Sequence, residues 1–173
     1  MTKQRIMLIS FVGILIFGLL LGGRIVYQNK WLDAAILRQS QQIPGVVSAK
    51  TVTQDNGQNE LVVVTKNMAN LRQASLALEK LAGNSPIRYL DRSNAALNKL
   101  FGQMQFALQE GIARGTFTEM AQNVRAQAEK AGVQIELEMD NDAIYVILNQ
   151  GDAQLIQVVE RHGQTNFLPS EKQ

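Results

Sequence analysis

A chain of 173 residues with 46% hydrophobic side chains, a formal net charge of +2 and no cysteine holds enough apolar material for one ordinary domain or two small ones. Without cysteine there is no disulfide framework, thiolate nucleophile, Cys-based metal site or lipobox lipid anchor. Basic residues are scattered among acidic ones rather than gathered in a patch, so no nucleic acid is expected as a partner.

The first element is "IMLISFVGILIFGLLLGG", residues 6–23, which carries no charge and has serine as its only polar side chain. Extended through Ile25 and Val26 it reaches about 20 residues, and at 1.5 Å rise per residue that spans the roughly 30 Å hydrocarbon layer. The expectation is a transmembrane signal anchor over 6–27. It ends "LLLGGRIVY" and lacks the A-x-A-like site of a cleaved signal peptide. Lys3 and Arg5 mark residues 1–5 as a cytoplasmic tip, which places the C-terminal domain on the extracytoplasmic side of a cell membrane that the chain crosses once. Gly18 and Gly22 form a small-xxx-small pair suited to helix packing in the membrane. Tyr27 and Trp31 suit the membrane interface, where amphipathic rings keep one end wet.

Beyond the membrane, "KWLDAAILRQSQQ" at 30–42 has helix-like apolar spacing and is stopped by Pro44 and Gly45. "VVSAKTVTQ" alternates as a strand, with Val47, Ala49, Thr51 and Thr53 set against Val46, Ser48, Lys50 and Val52. "DNGQ" at 55–58 supplies the positive-φ residues of a hairpin, and "ELVVVTK" completes it. Leu71, Ala74, Leu78 and Leu81 repeat at three and four residues, predicting a helix over 68–81 that Gly83 caps. "PIRYLD" at 86–91 reads as a third strand, so residues 30–91 form an αββαβ module.

Leu97, Leu100, Phe101, Met104, Leu108 and Ile112 predict a helix of about twenty residues that Gly115 stops. "TFTE" offers a capping box from Thr116 to Glu119 for another helix, with the stripe Met120, Val124, Ala128 and Ala131, closed by Gly132. "VQIELEMDND" alternates Val133, Ile135, Leu137 and Met139 against Gln134, Glu136 and Glu138; "AIYVILN" and "AQLIQVVERH" follow as further strands. Residues 92–163 are therefore an ααβββ antiparallel meander, the boundary between the modules falls at 91–94, and 164–173 form a loose tail. The fold class is α+β: a transmembrane helix followed by a two-module domain.

Catalytic signatures are missing. Glu136, Glu138, Asp140 and Asp142 lie two apart and would share a strand face, but an EF-hand loop opened by Asp140 needs a Glu where Gly151 stands, so a solvated sheet face is expected and no metal. His162 is the only histidine and lacks an evident partner, and no serine has a G-x-S-x-G context. No phosphate-cradling glycine pattern occurs, so neither catalysis nor a cofactor is expected. What remains is recognition by shape, at sheet edges and half-polar helix faces.

"IPGVVSAKTV", "ELVVVTK" and "NLRQASLALEKL" resemble the ring-building motif of flagellar MS-ring, type III secretion inner-membrane ring and stage III sporulation channel proteins. Ile43, Pro44, Gly45, Val46, Ala49 and Lys50 stand in places matching the turn that opens that motif. The resemblance covers residues 30–91, about a third of the chain, and implies side-by-side packing of the module in an assembly. The resulting expectation is a single-pass, non-catalytic assembly or interaction component of a bacterial cell-envelope complex, sporulation machines included. Its partners are the lipid bilayer and a protein, a second copy among the candidates. A second reading is a membrane-tethered small-ligand binder or enzyme with a cleft between the modules lined by Arg88, Tyr89 or Tyr145. A third is a tethered regulator facing the cytoplasm.

Overall fold

The computed structural model describes residues 35–161. The expected transmembrane segment 6–27 with Gly18, Gly22 and Tyr27, together with Trp31, His162 and the tail, lies outside the described residues. Among the described residues no helix is long and apolar enough to cross a membrane.

The described chain is α+β, with two three-stranded sheets. A helix α1, described over 35–40, leads through a turn into β1 (Val46–Thr53) and β2 (Asn59–Thr65), and α2 (Leu71–Ala82) crosses to β3 (Ile87–Leu90). Then follow α3 (Ala95–Arg114), α4 (Phe117–Lys130) and the strands β4 (Gln134–Met139), β5 (Ala143–Gln150) and β6 (Ala153–Glu160). In the first sheet β2 is central, antiparallel to β1 and parallel to β3. In the second, β5 lies between β4 and β6 as an antiparallel meander.

Local chemistry sets the element ends. The side chain of Asn70 accepts from Gln73 N at the start of α2, and that of Asn94 accepts from Leu97 N at 2.8 Å at the start of α3, each satisfying an otherwise orphaned helix donor. Gly115 ends α3 in the left-handed region, φ 68°. The expected capping box is not made: Thr116 is the N-cap of α4, but its side chain makes no cap hydrogen bond. Simple alternation also fails at the start of β1, where the register shifts between Val46 and Ser48. Such an irregularity adds a residue to one strand, so Val46 and Ala49 both turn inward, where regular alternation would separate them.

Each face of the second sheet meets a different core. Ile144, Val146 and Leu148 of β5, with Leu155 and Val159 of β6, pack under Leu97, Leu100, Phe101, Met104 and Leu108 of α3 and Met120, Val124 and Ala128 of α4. The opposite face, Ala143, Tyr145, Ile147 and Ile156, joins Ile36, Val46, Ala49, Leu61, Val63, Met68, Leu71, Ala74 and Leu78 in a second cluster. β5 is therefore buried on both sides, which explains why "AIYVILN" is apolar at successive positions rather than alternate ones. At the edge, β4 keeps the expected alternation but little of the burial: Ile135 and Leu137 are half-buried and Met139 is exposed.

Two glycines permit close approach. Gly45 has φ 85°, and a Cβ on it would lie 2.8 Å from the Met68 Cα, so both conformation and space demand glycine in the turn before β1. At Gly111 a Cβ would come within 2.5 Å of the Met120 Cβ, which lets α3 and α4 touch.

Candidate functional site

Where the two sheets meet, polar side chains bridge them. The Gln154 side chain on β6 donates to Met68 O at 2.9 Å and to Asn149 Oδ1 at 2.8 Å, and accepts from Met68 N at 2.9 Å. Asp91 Oδ2 accepts from Ile156 N at 2.8 Å, and Arg92 forms an isolated bridge with Gln154. Residues 91–94, expected as a boundary, thus tie the halves together.

Asp140 is the second hub. Its Oδ1 accepts from the backbone N–H of Asp142 and of Ala143, both at 2.9 Å, as a turn-closing aspartate does. Its Oδ2 accepts from the Tyr145 hydroxyl at 2.8 Å, and Arg72 of α2 lies 3.5 Å away. Partial burial pushes the Asp140 carboxyl up, but the backbone N–H groups of Asp142 and Ala143, then Tyr145 and Arg72, outweigh it and hold the pKa below the usual value. Tyr145, 2% exposed, is held well above the ordinary phenol range by burial and by its bond to Asp140. Arg161 donates to Asp140 O at 2.6 Å and lies over the Phe117 ring.

The three expected cleft residues do not converge. Arg88 lies on the face of the first sheet away from α2, where its Nε is 3.0 Å from Oε2 of Glu60, a carboxylate only 1% exposed. Tyr89 takes the opposite face, as its neighbour on a strand must, and packs against the cluster that buries Tyr145. Burial pushes the Tyr89 phenol up to about 12; the Ser75 hydroxyl opposes the shift and the Glu79 charge adds to it. The Tyr89 hydroxyl has no hydrogen-bond partner among the described residues, and Ser75 Oγ is directed at Glu79 Oε1.

Glu136 and Glu138 are exposed on β4, and Asp140 is engaged as above; among the described residues no group of three or more acidic or histidine side chains is placed to hold a metal ion. No nucleophile with an adjacent base emerges from these contacts. Sequence reasoning missed Gln154 and Asp91, whose only trace was a polar residue inside or beside an apolar strand. Phe106 on α3 is 82% exposed, against Leu97, Leu100, Phe101, Met104 and Leu108, all buried on the same helix.

No protein-family model, curated protein or solved structure matches this chain.

Proposed function

We propose that this protein is a single-pass, membrane-anchored, non-catalytic assembly component of a bacterial cell-envelope complex, sporulation machines included, with residues 35–161 outside the membrane. The observation that carries the reading is the uncharged run 6–23, which extended through Ile25 and Val26 is long enough to span a bilayer, placed ahead of a folded body whose junction side chains are committed to one another. Tyr145, Asp140, Gln154 and Asp91 serve architecture, which favours a body that presents surfaces over one that performs a reaction. The helix–strand–strand–helix–strand order of α1 to β3 supports a ring-building-like module at 30–91, and with it packing of the module against neighbouring chains.

Because the chain contains no cysteine, a Ser170→Cys variant carries one thiol. In intact protoplasts a membrane-impermeant maleimide is expected to label it without lysis. Labelling only after lysis would overturn the extracytoplasmic placement, and recovery of the chain in the soluble fraction would overturn the anchor.

A further inference from the structure

We infer that the outward face of α3 is a self-association surface, on which two copies of this chain pair antiparallel about a two-fold axis, with Phe106 of each seated over Gly102 of the other. This goes beyond the assembly reading by naming the partner and the register. It rests on that reading only where the shared bilayer raises the local concentration.

The first observation is Gly102. It sits in the middle of α3, exposed, and a Cβ built on it would meet no atom of the described residues within 4 Å. Glycine in a helix interior costs about 1 kcal/mol relative to alanine, and no described residue uses the space that its missing side chain leaves. Contrast Gly111 on the same helix, where the Met120 side chain fills the gap.

The second observation is Phe106, one turn further on and the most exposed large hydrophobic residue described. A lone exposed phenylalanine is ordinary. This one lies one turn from Gly102, on the face opposite the core stripe.

The third is self-complementarity. Antiparallel pairing that brings residue 102 opposite 106 also brings Ala95 opposite Ala113, small against small, at both ends of the contact. The same register sets Lys99 of one copy beside Glu110 of the other, twice per dimer. Glu110 keeps its own partner Arg114, 2.6 Å away on the same helix, so each end carries a mixed-charge cluster rather than a bare pair. A heterologous arrangement would match one such set and leave the other unused, whereas a two-fold arrangement uses each twice. Its axis crosses the helices, so both chains can enter one bilayer from the same side. A single helix pair buries less than the roughly 800 Å² per partner of a stable interface, so tethering in a shared membrane supplies the effective concentration that makes it persist.

Full-length Ala95→Cys and Ala113→Cys chains, distinguished by tags of different size, are reconstituted together in lipid vesicles and treated with a short bismaleimide. The mixture is expected to give the 95-to-113 heterodimer at least tenfold above the homodimer from either chain alone. Like positions lie about 27 Å apart along antiparallel helices, being eighteen residues away at 1.5 Å each. Adding Phe106→Glu, or separately Gly102→Leu, to both chains is expected to bring the heterodimer to background while circular dichroism stays unchanged. Homodimers equal to or above the heterodimer, no cross-link in the mixture, or a heterodimer indifferent to both substitutions would each overturn the pairing. Vesicle flotation of the same samples reads the membrane anchor separately. A chain that fails to float but still gives the heterodimer at high concentration would retain the pairing and lose the anchor.

Discussion

Gln154→Ala removes the side chain that joins the two halves of the folded body. In the native chain Gln154 bonds both backbone groups of Met68, a residue 1% exposed and distant in sequence. Truncation leaves the Met68 N–H and C=O buried without these partners and removes the bond to Asn149 Oδ1. A typical hydrogen bond contributes about 1 kcal/mol net, and an orphaned buried donor costs about 1–3 kcal/mol, so the loss is about 2–4 kcal/mol. For a body of this size 1 kcal/mol moves the midpoint by roughly 4 °C, which predicts a fall of about 8–16 °C. The assay is thermal unfolding of the intact chain in mild detergent, followed by near-ultraviolet circular dichroism of the buried tyrosines. Gln154→Glu retains an acceptor for Met68 N but presents no amide donor to Met68 O, and is expected to fall between wild type and alanine at acidic pH, where the carboxyl can donate. A drop below about 2 °C for Gln154→Ala would refute the role assigned to this residue.

Gly111→Ala forces a methyl against the Met120 side chain, so α3 and α4 must separate; the expected loss is about 1–3 kcal/mol by urea titration, whereas Gly102→Ala should stabilise slightly. Asp140 has a folded pKa below its unfolded value of about 3.9, so its contribution is present above that pH and disappears as pH falls through the folded pKa. Asp140→Asn is therefore expected to be less stable than wild type at pH 7, with the difference shrinking in acid; a pH-independent difference would contradict this. Tyr89 behaves in the opposite sense: with its phenol raised to about 12, the stability it contributes is intact below pH 10 and is lost as pH climbs toward 12. Absorbance titration should show two of the three tyrosines, Tyr89 and Tyr145, resisting ionisation until the fold opens.

Much of the described architecture was legible because periodicity reports burial. The α3 stripe at three- and four-residue spacing, the alternation through β4 and the glycine stops at 83 and 115 translate directly into elements. The strand "AIYVILN" was legible as apolar, but its two-sided burial depends on sheet packing between halves distant in the chain, which no local pattern carries. The capping box at Thr116 met the pattern and failed in geometry, since its side chain makes no cap bond, although its carbonyl still accepts the first helical bond from Met120 N. The irregularity at Val46 was invisible for a related reason: Val46 and Val47 are chemically alike, and only the pairing with β2 decides which turns inward. Gln154 was illegible because its meaning lies in Met68, which is nearby only once the chain has folded.

Charge and shape at the junction divide the work of the molecule. Aliphatic side chains fill most of both cores, while Gln154 bonds Met68, Asp91 bonds Ile156 N and Asp140 reaches Arg72 of α2 across the junction.

The most direct measurement is membrane extraction of the full-length chain. After cell lysis and an alkaline carbonate wash, the protein is expected to stay in the membrane pellet and to be released only by detergent, and a variant with Leu15, Ile16 and Leu20 changed to Asp is expected to appear in the supernatant. Wild-type chain that leaves the membrane in the wash, or that remains dispersed without detergent, would contradict the anchored account.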